Sequence, residues 1–251
     1  MGRTKRDAPE EATGDDLWHD AGDSTLSANI IRNIRASLFS GKLTPGAFIG
    51  TESSWAQQFG VSRMAARDAI RTLKAAGIIH IKIGARGGIF VAAANPDYFA
   101  EALAIQMQLI GVDLAEILDA QIAIEVTAAE LAANLATPQD IETLKTLLVD
   151  MRSNIGNPEP FTEIAMQFHE AVIAASHNRV LLAQFRGLRH LLLPHYTRHS
   201  TDEVARRAVA SHEELVRHIE GRDAVSAREL MRKRLHVIRE RQLVHWRSTA
   251  S

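Results

Sequence analysis

Residues Glu52 to Leu73 read ESSWAQQFGVSRMAARDAIRTL, and the fold of the amino-terminal part of the chain turns on them. Trp55, Ala56 and Phe59 mark the inner face of a short helix. Val61, Ala65, Ala69, Ile70 and Leu73 recur every three to four residues as the inner face of a second. Between the two, Gly60 tolerates the positive φ of a sharp turn, Val61 plugs the corner, and Ser62 is a good N-cap for a helix beginning at Arg63. That is the grammar of a helix-turn-helix. Opposite the apolar stripe, Arg63, Arg67, Arg71 and Lys74 recur at i, i+4, i+8 and i+11, a cationic edge suited to phosphates and base edges. A basic stripe on an isolated amphipathic helix is most often a solvated face, so the flanking sequence decides the reading.

Directly after this helix the pattern changes from a helical repeat to alternation. Ile78 to Ile83 and Gly88 to Val91 read as two short strands, and Gly84, Ala85, Arg86 and Gly87 as the hairpin turn between them. A hairpin following a recognition helix makes a winged helix-turn-helix, with Arg86 at the wing tip in reach of a minor groove or a phosphate. On the other side, Leu26, Ile30, Ile31, Ile34 and Leu38 mark an amphipathic helix ending near Ser40-Gly41, followed by the turn residues Pro45-Gly46.

Helix, Pro-Gly turn, helix, Gly-Val-Ser-Arg, helix and hairpin stand here in one order. The run TLSANIIRNIRASLFSGKLTPGAFI, then ESSWAQQFGVSRMAARDAIRTLKAAGII, then GARGGIFV, about residues 24 to 92, resembles the DNA-binding domain of the GntR family of bacterial transcription regulators. The resemblance implies base and phosphate contacts at Ser62, Arg63 and Arg67 and wing glycines at Gly87 and Gly88. The family often carries an Arg immediately after the Glu that opens the second helix. Ser53 stands there in this chain, which puts one DNA contact in doubt.

Charge is distributed to match. The 251-residue chain is 46% hydrophobic and has a formal net charge of only −1, yet Asp23 to Ala92 hold nine Lys and Arg against three Asp and Glu. Phe99 to His245 hold sixteen against twenty, so the excess of positive charge is confined to the part expected to face phosphates. There is no Cys, which leaves neither disulfides nor thiolate chemistry and makes a reducing cytoplasm the expected compartment. No apolar run approaches the roughly 20 residues of a membrane span, and the polar first residues have no apolar signal core, so the chain is expected to be soluble and not exported. Residues 1–22, rich in Asp, Glu, Gly and Ala, are expected to form a disordered tail in which Trp18 packs back on the first helix or joins a dimer contact.

The domain expectation is a tail at 1–22, a winged helix-turn-helix at 23–92, a linker at 93–98 around Asn95-Pro96, an all-α domain at 99–246 and a tail at 247–251. Helices are expected at about Phe99–Ile110, Asp113–Ala136, Pro138–Asn154, Glu159–Ser176, Arg179–Ser200, Thr201–Glu220 and Arg222–Trp246. The fold class is therefore mainly α, an α+β winged domain followed by a helical bundle. In that second part ILDAQIAIEVTAAELAA, FHEAVIAASHNRVL and SHEELVRHIEGRDAVSARELMRKRL are similar to the FCD effector-binding domain of the FadR subfamily of GntR regulators.

Such domains imply a metal held by an Asp and a His one helical turn apart, a second His, and a third His on the last helix, a reasonable donor set for zinc or a similar ion. Here His169 and His212 fill two of those positions, Ala165 replaces the Asp, and Arg234 replaces the last His. A guanidinium cannot lose its proton to bind a metal and repels one, so no metal cofactor is expected. His236 lies about 200° around the helix from Arg234 and cannot share its face. The expected substitution is that Arg234 supplies the positive charge and, with His169 and His212, holds the carboxylate or other oxyanion of a small-molecule effector. The competing expectation is that Arg234 pairs internally with Glu170 or Glu213 beside an apolar cavity. Arg189 and His195 are further candidates for the pocket, His195 with His199, Tyr196 and Arg198 at its mouth, while His177, His190 and His218 read as surface or helix-end residues.

Together these features imply a homodimeric transcription regulator, a repressor before an activator, that binds double-stranded operator DNA under control of an effector. Two other classes are distinguishable. A ligand-independent architectural DNA-binding protein would have an all-apolar bundle with no polar groups converging on a cavity. A metal-dependent enzyme, with His169 and Glu170 as acid and base, would need a nucleophile elbow, a phosphate-cradling loop or a complete metal set, none of which is present, so no catalytic residues are expected.

Overall fold

The computed structural model describes residues 21–84 and 86–249; the expected tail up to residue 20 with its Trp18, and Ala85 of the wing turn, lie outside them. Contacts divide the chain into two units with the break between Asn95 and Pro96.

The first unit holds helix α1 (Ala21–Phe39), strand β1 (Phe48–Gly50), helices α2 (Glu52–Phe59) and α3 (Arg63–Ala75), and strands β2 (Ile79–Lys82) and β3 (Gly88–Val91). Ile30 and Ile34 of α1, Trp55 of α2 and Ala66, Ala69, Ile70 and Leu73 of α3 close a core with Ile79 and Ile89 of the wing. The corner between α2 and α3 is built as the residues require. Gly60 adopts φ 62°, ψ 36°, the Val61 amide bonds the Ala56 carbonyl at 3.0 Å, and the Ser62 hydroxyl caps α3 by accepting from the Ala65 amide at 3.1 Å. The Trp55 indole N–H, buried in this core, donates to the Ile49 carbonyl at 2.6 Å.

The sheet is antiparallel in the order β1-β3-β2, with β2 and β3 in register from Ile79↔Val91 to Lys82↔Gly88. Strand β1 is one more strand than the sequence announced, since three residues are too few to show alternation. It pairs Phe48 with Phe90 and pins the wing to the chain entering α2. Gly88 makes the close approach possible: a Cβ there would stand 2.5 Å from Phe48 Cε2 and 2.9 Å from the Gly50 carbonyl oxygen, at a φ of 151° that a side chain rarely adopts.

The second unit is a bundle of α4 (Pro96–Leu109), α5 (Leu114–Leu135), α6 (Pro138–Ser153), α7 (Pro158–Ala175), α8 (Arg179–Arg198), α9 (Asp202–Glu220) and α10 (Ala224–Thr249). The seven expected helices are the seven seen. The bounds differ where helices run on: α1 starts at Ala21 within the expected tail, α4 starts at Pro96 within the expected linker, and α10 continues into the expected carboxyl tail. Asp113 and Thr137 cap α5 and α6 with reciprocal side-chain and backbone hydrogen bonds.

Helix α5 is the axis, packed against α7, α8, α9 and α10. Ala128, Ala129, Ala132 and Ala133 on it are fully buried, and side chains this small let neighbouring helices come close. Two apolar clusters flank it, one shared with α6, α7, α9 and α10, the other with α7 and α8. No helix among the described residues is long and apolar enough to cross a membrane.

Candidate functional sites: a cationic helix edge and a cavity in the helical bundle

On α3, Arg63, Arg67, Arg71 and Lys74 are all exposed, opposite the buried stripe of Ala65, Ala66, Ala69, Ile70 and Leu73. Arg86 is exposed at the wing turn, where Gly87 closes a tight loop by donating to the Gly84 carbonyl at 2.8 Å. The residues expected to touch DNA therefore lie on one exposed helix edge and one hairpin tip of the same unit. Arg67 is not free. Its Nη2 and Nε donate to both oxygens of Glu52, at 2.8 and 3.2 Å, and that hydrogen-bonded pairing holds the Glu52 carboxyl below its ordinary pKa. Arg71 reaches Asp68 only loosely, at 3.7 Å.

In the bundle, a cavity of about 100 Å³ is bordered by α5, α7, α8, α9 and α10. Gln121, Thr162, His169, Tyr196, His199 and Arg234 bring polar groups to a wall otherwise made of residues such as Phe161, Met166 and Ile238. Behind that wall lies a chain of hydrogen bonds. Tyr196 Oη donates to Gln121 Oε1 at 2.8 Å, Gln121 Nε2 donates to Glu125 Oε1 at 2.6 Å, and the other Glu125 oxygen pairs with His169 Nδ1. Glu125 is fully buried, and this chain fixes the His169 ring from behind. Burial, followed by the nearby Glu125 charge, raises the Tyr196 pKa, so the phenol stays protonated as a donor.

Arg234 donates Nη1 to the Ala208 carbonyl at 3.3 Å and has no carboxylate within ion-pairing distance among the described residues. Burial pushes its pKa down to about 10, which still leaves it charged at neutral pH. The two acids expected to pair with it are engaged elsewhere, Glu170 accepting from Arg186 at 2.6 Å and Glu213 from Arg152 at 2.7 and 2.9 Å, and the charge that acts on Arg234 is that of Glu125, without direct contact. His212 stacks on Phe168 with ring centroids 4.2 Å apart and stands edge-on to His169 at 4.9 Å. Its Nδ1 faces Met151 Sδ at 3.4 Å, and its buried Nε2 has no hydrogen-bond partner among the described residues.

A metal does not fit this set, because position 165 offers a methyl group in place of a carboxylate and Arg234 puts a fixed cation where a third imidazole would be needed.

Three expected pocket residues do not line the cavity. His212 lies behind its wall, against Phe168 and His169. Arg189 is turned to an outer groove between α6, α7 and α8, where it pairs with Glu163; its position on α8 faces α7 and not the cavity. His195 stands one layer out, its Nε2 on Gln242 Oε1 at 2.8 Å and its ring beside that of His199, and these two residues line the cavity in its place. His199 and Tyr196 do line it, while Arg198 belongs to a different surface hollow. Gln121 and Glu125 were not anticipated. The available signal was their place at i and i+4 on the buried stripe of α5, between Leu118 and Ala128, where a polar pair must have partners.

Acid should destabilise this domain. Burial first, then Arg234 and His169, push the His212 pKa well below 6.5. The unfolded ring takes a proton near pH 6.5 and the folded one only much lower. Its contribution is thus complete above that pH and lost as pH falls below it, by at most about 1.4 kcal/mol per pH unit. His195, lowered chiefly by burial, acts with the same sign. Melting temperatures between roughly pH 5 and 7 should show a shallower acid slope for His212→Phe, which keeps a ring on Phe168; an unchanged slope would assign the acid sensitivity to other groups.

With both sites in view, the comparisons agree on one family. A model of bacterial regulatory proteins of the gntR family matches residues 26–91, and one of the FCD domain matches residues 116–237. The chain is 29% identical over 153 residues to the HTH-type transcriptional regulator LutR of Bacillus subtilis (strain 168), covering 61% of this chain and 69% of that protein. It is 28% identical over 156 residues to the galactonate operon transcriptional repressor of Escherichia coli (strain K12), covering 61% and 67%. A second Escherichia coli (strain K12) relative, 30% identical over 166 residues, is matched over only 63% of its own length. Among solved structures, Streptococcus agalactiae GntR aligns with a TM-score of 0.54 at 18% identity over 87% of this chain and 99% of that one, a likeness of fold. The recognition helix and wing thus carry one of these signatures and the helical bundle the other: the chain belongs to the GntR family of bacterial regulatory proteins, as a DNA-binding transcription regulator with the FadR-like FCD architecture.

Proposed function

We propose that the chain is a homodimeric, cytoplasmic repressor whose hold on a pseudo-palindromic operator is controlled by an anionic metabolite bound in the helical domain, without a metal and without a catalytic step. Two symmetric copies suit two symmetric half-sites. In each copy Arg63 reads the major groove, Ser62, Arg67, Arg71 and Lys74 hold the backbone, and Arg86 with Gly87 and Gly88 brings the wing to the minor groove. In the bundle Arg234 takes the effector's oxyanion, with His169 and Tyr196 beside it and His212 behind.

The observation that carries this reading is the half-buried guanidinium of Arg234 at the cavity wall, which feels the Glu125 charge but, among the described residues, has a carbonyl and no carboxylate in direct contact, and so leaves a place for an anion. The galactonate operon repressor is by its name tied to the operon of a sugar acid, which accords with a carboxylate here. The polar groups converging on the cavity speak against a purely architectural bundle. The effector acts on DNA binding to the extent that it prefers one of two domain arrangements, and the segment at 93–98 is where these would interconvert.

Fluorescence anisotropy on duplexes taken from upstream of the gene, with and without organic acids, tests the reading. Arg63→Ala should weaken operator binding by about 1–3 kcal/mol and relax base preference, whereas Lys74→Ala should weaken all sequences alike. Equal losses on operator and random DNA for Arg63→Ala would remove base readout, and operator binding indifferent to every acid would remove effector control.

A further inference from the structure

Arg234 borders two spaces. One is the cavity of about 100 Å³ among α5, α7, α8, α9 and α10; the other is a more open groove of about 310 Å³ between α9 and α10. Val204, Ala208, Arg234 and Ile238 belong to the walls of both, so cavity and groove meet along a shared side whose charged member is the guanidinium.

Size and charge then constrain the ligand. Pockets for small metabolites and cofactors usually measure about 300–1,000 Å³, so the inner cavity alone has room for a head group and little more. The groove supplies the missing volume. Its floor is apolar, from Leu230 and Val237 with the shared residues, and its rim is cationic. Arg207 on that rim is already paired with Glu203, but Lys233 and Arg241, exposed and two turns apart on α10, have no carboxylate partner among the described residues, and no Asp or Glu lines the groove.

We infer that the effector is a bis-anion, two acidic groups joined by a short apolar chain: the inner group on Arg234 in the cavity, the chain along Val237 and Ile238, and the outer group on Lys233 and Arg241 in the α9–α10 groove. This rests on the anion pocket proposed above and adds to it the class of ligand. A monoacid fills only the inner half and leaves the rim cations to water. The rim contacts are solvent-exposed, so their share of the affinity is modest, roughly fivefold.

Isothermal titration calorimetry on the full-length protein tests this with succinate, adipate and suberate, each against the monocarboxylate of the same chain length: butyrate, hexanoate and octanoate. At least one diacid should bind roughly fivefold tighter than its partner, and the Lys233→Ala/Arg241→Ala double variant should bind the two alike. Both substitutions are at exposed positions, and an unchanged melting temperature would show that the variant is folded. Arg234→Ala should weaken both classes. Monoacids bound through Arg234 with no diacid preferred at any length, or a preference that survives the double variant, overturns the bis-anion while leaving the anion pocket standing. Acids of neither class binding, or binding untouched by Arg234→Ala, overturns both.

Discussion

Arg234→Ala weakens binding of the effector acid about ten- to hundredfold and leaves the helical domain as stable as before or more so. The binding loss follows from the guanidinium's position at the cavity wall, where it is the charged donor nearest to any bound oxyanion. A hydrogen bond to a charged group contributes about 1.5–3 kcal/mol, so affinity should fall roughly ten- to hundredfold. The stability result has the opposite sign because burial of this cation works against folding. Its pKa is pushed down to about 10, chiefly by desolvation. A basic group with a depressed folded-state pKa costs stability throughout the range below that value, neutral pH included. Arg234→Met, which keeps the aliphatic volume, should show the gain more clearly. Calorimetry with the acid and thermal denaturation without it separate the two effects. A variant that binds as tightly as the parent removes the pocket reading, and one that melts markedly lower shows that the guanidinium is there to hold α9 through Ala208.

Glu125→Ala carries the largest expected stability loss, about 2–4 kcal/mol, because it leaves two buried hydrogen-bonding groups unsatisfied at about 1–3 kcal/mol each. Both carboxylate oxygens are used, one by Gln121 and one by His169, and the side chain is fully buried on the central helix of the bundle. The substitution leaves the Gln121 amide and His169 Nδ1 without partners, and frees Tyr196 from the chain that positions it. Glu125→Gln keeps an acceptor of the same shape and should lose less than half as much. Urea denaturation followed by far-ultraviolet circular dichroism reads both. A loss below about 1 kcal/mol for Glu125→Ala would mean that water reaches the pair and that it contributes as an exposed one does.

Much of the winged domain was legible because its information is local. Gly60, Val61 and Ser62 dictate a corner, the spacing of Ala65, Ala69, Ile70 and Leu73 dictates a buried stripe, and what remains of α3 is the cationic edge. The seven bundle helices were legible for the same reason, since Thr137-Pro138 marks a helix start and Gly111, Gly156 and Gly221 mark helix ends. What was not legible depends on contacts between distant parts of the chain. Strand β1 exists because Phe48 finds Phe90, 42 positions away. Whether Arg234 paired with Glu170 or Glu213 depended on where Arg186 and Arg152 would reach, and these took both carboxylates. Arg189 lies on a pocket-forming helix but on the side that meets Glu163. Glu125 escaped notice because an acid on a long helix usually faces solvent, and only its neighbours at helical spacing say otherwise.

The clamp between Glu52 and Arg67 has a thermodynamic consequence for how the regulator senses its medium. A lysine or arginine that meets a phosphate displaces a condensed cation from the duplex, and the steepness of binding against salt counts those displacements. Arg67 arrives with its own carboxylate attached, and so brings a counter-charge to the backbone along with its guanidinium. Glu52→Gln would leave that arginine's charge uncompensated, and the logarithmic salt slope should steepen by about one for each half-site occupied.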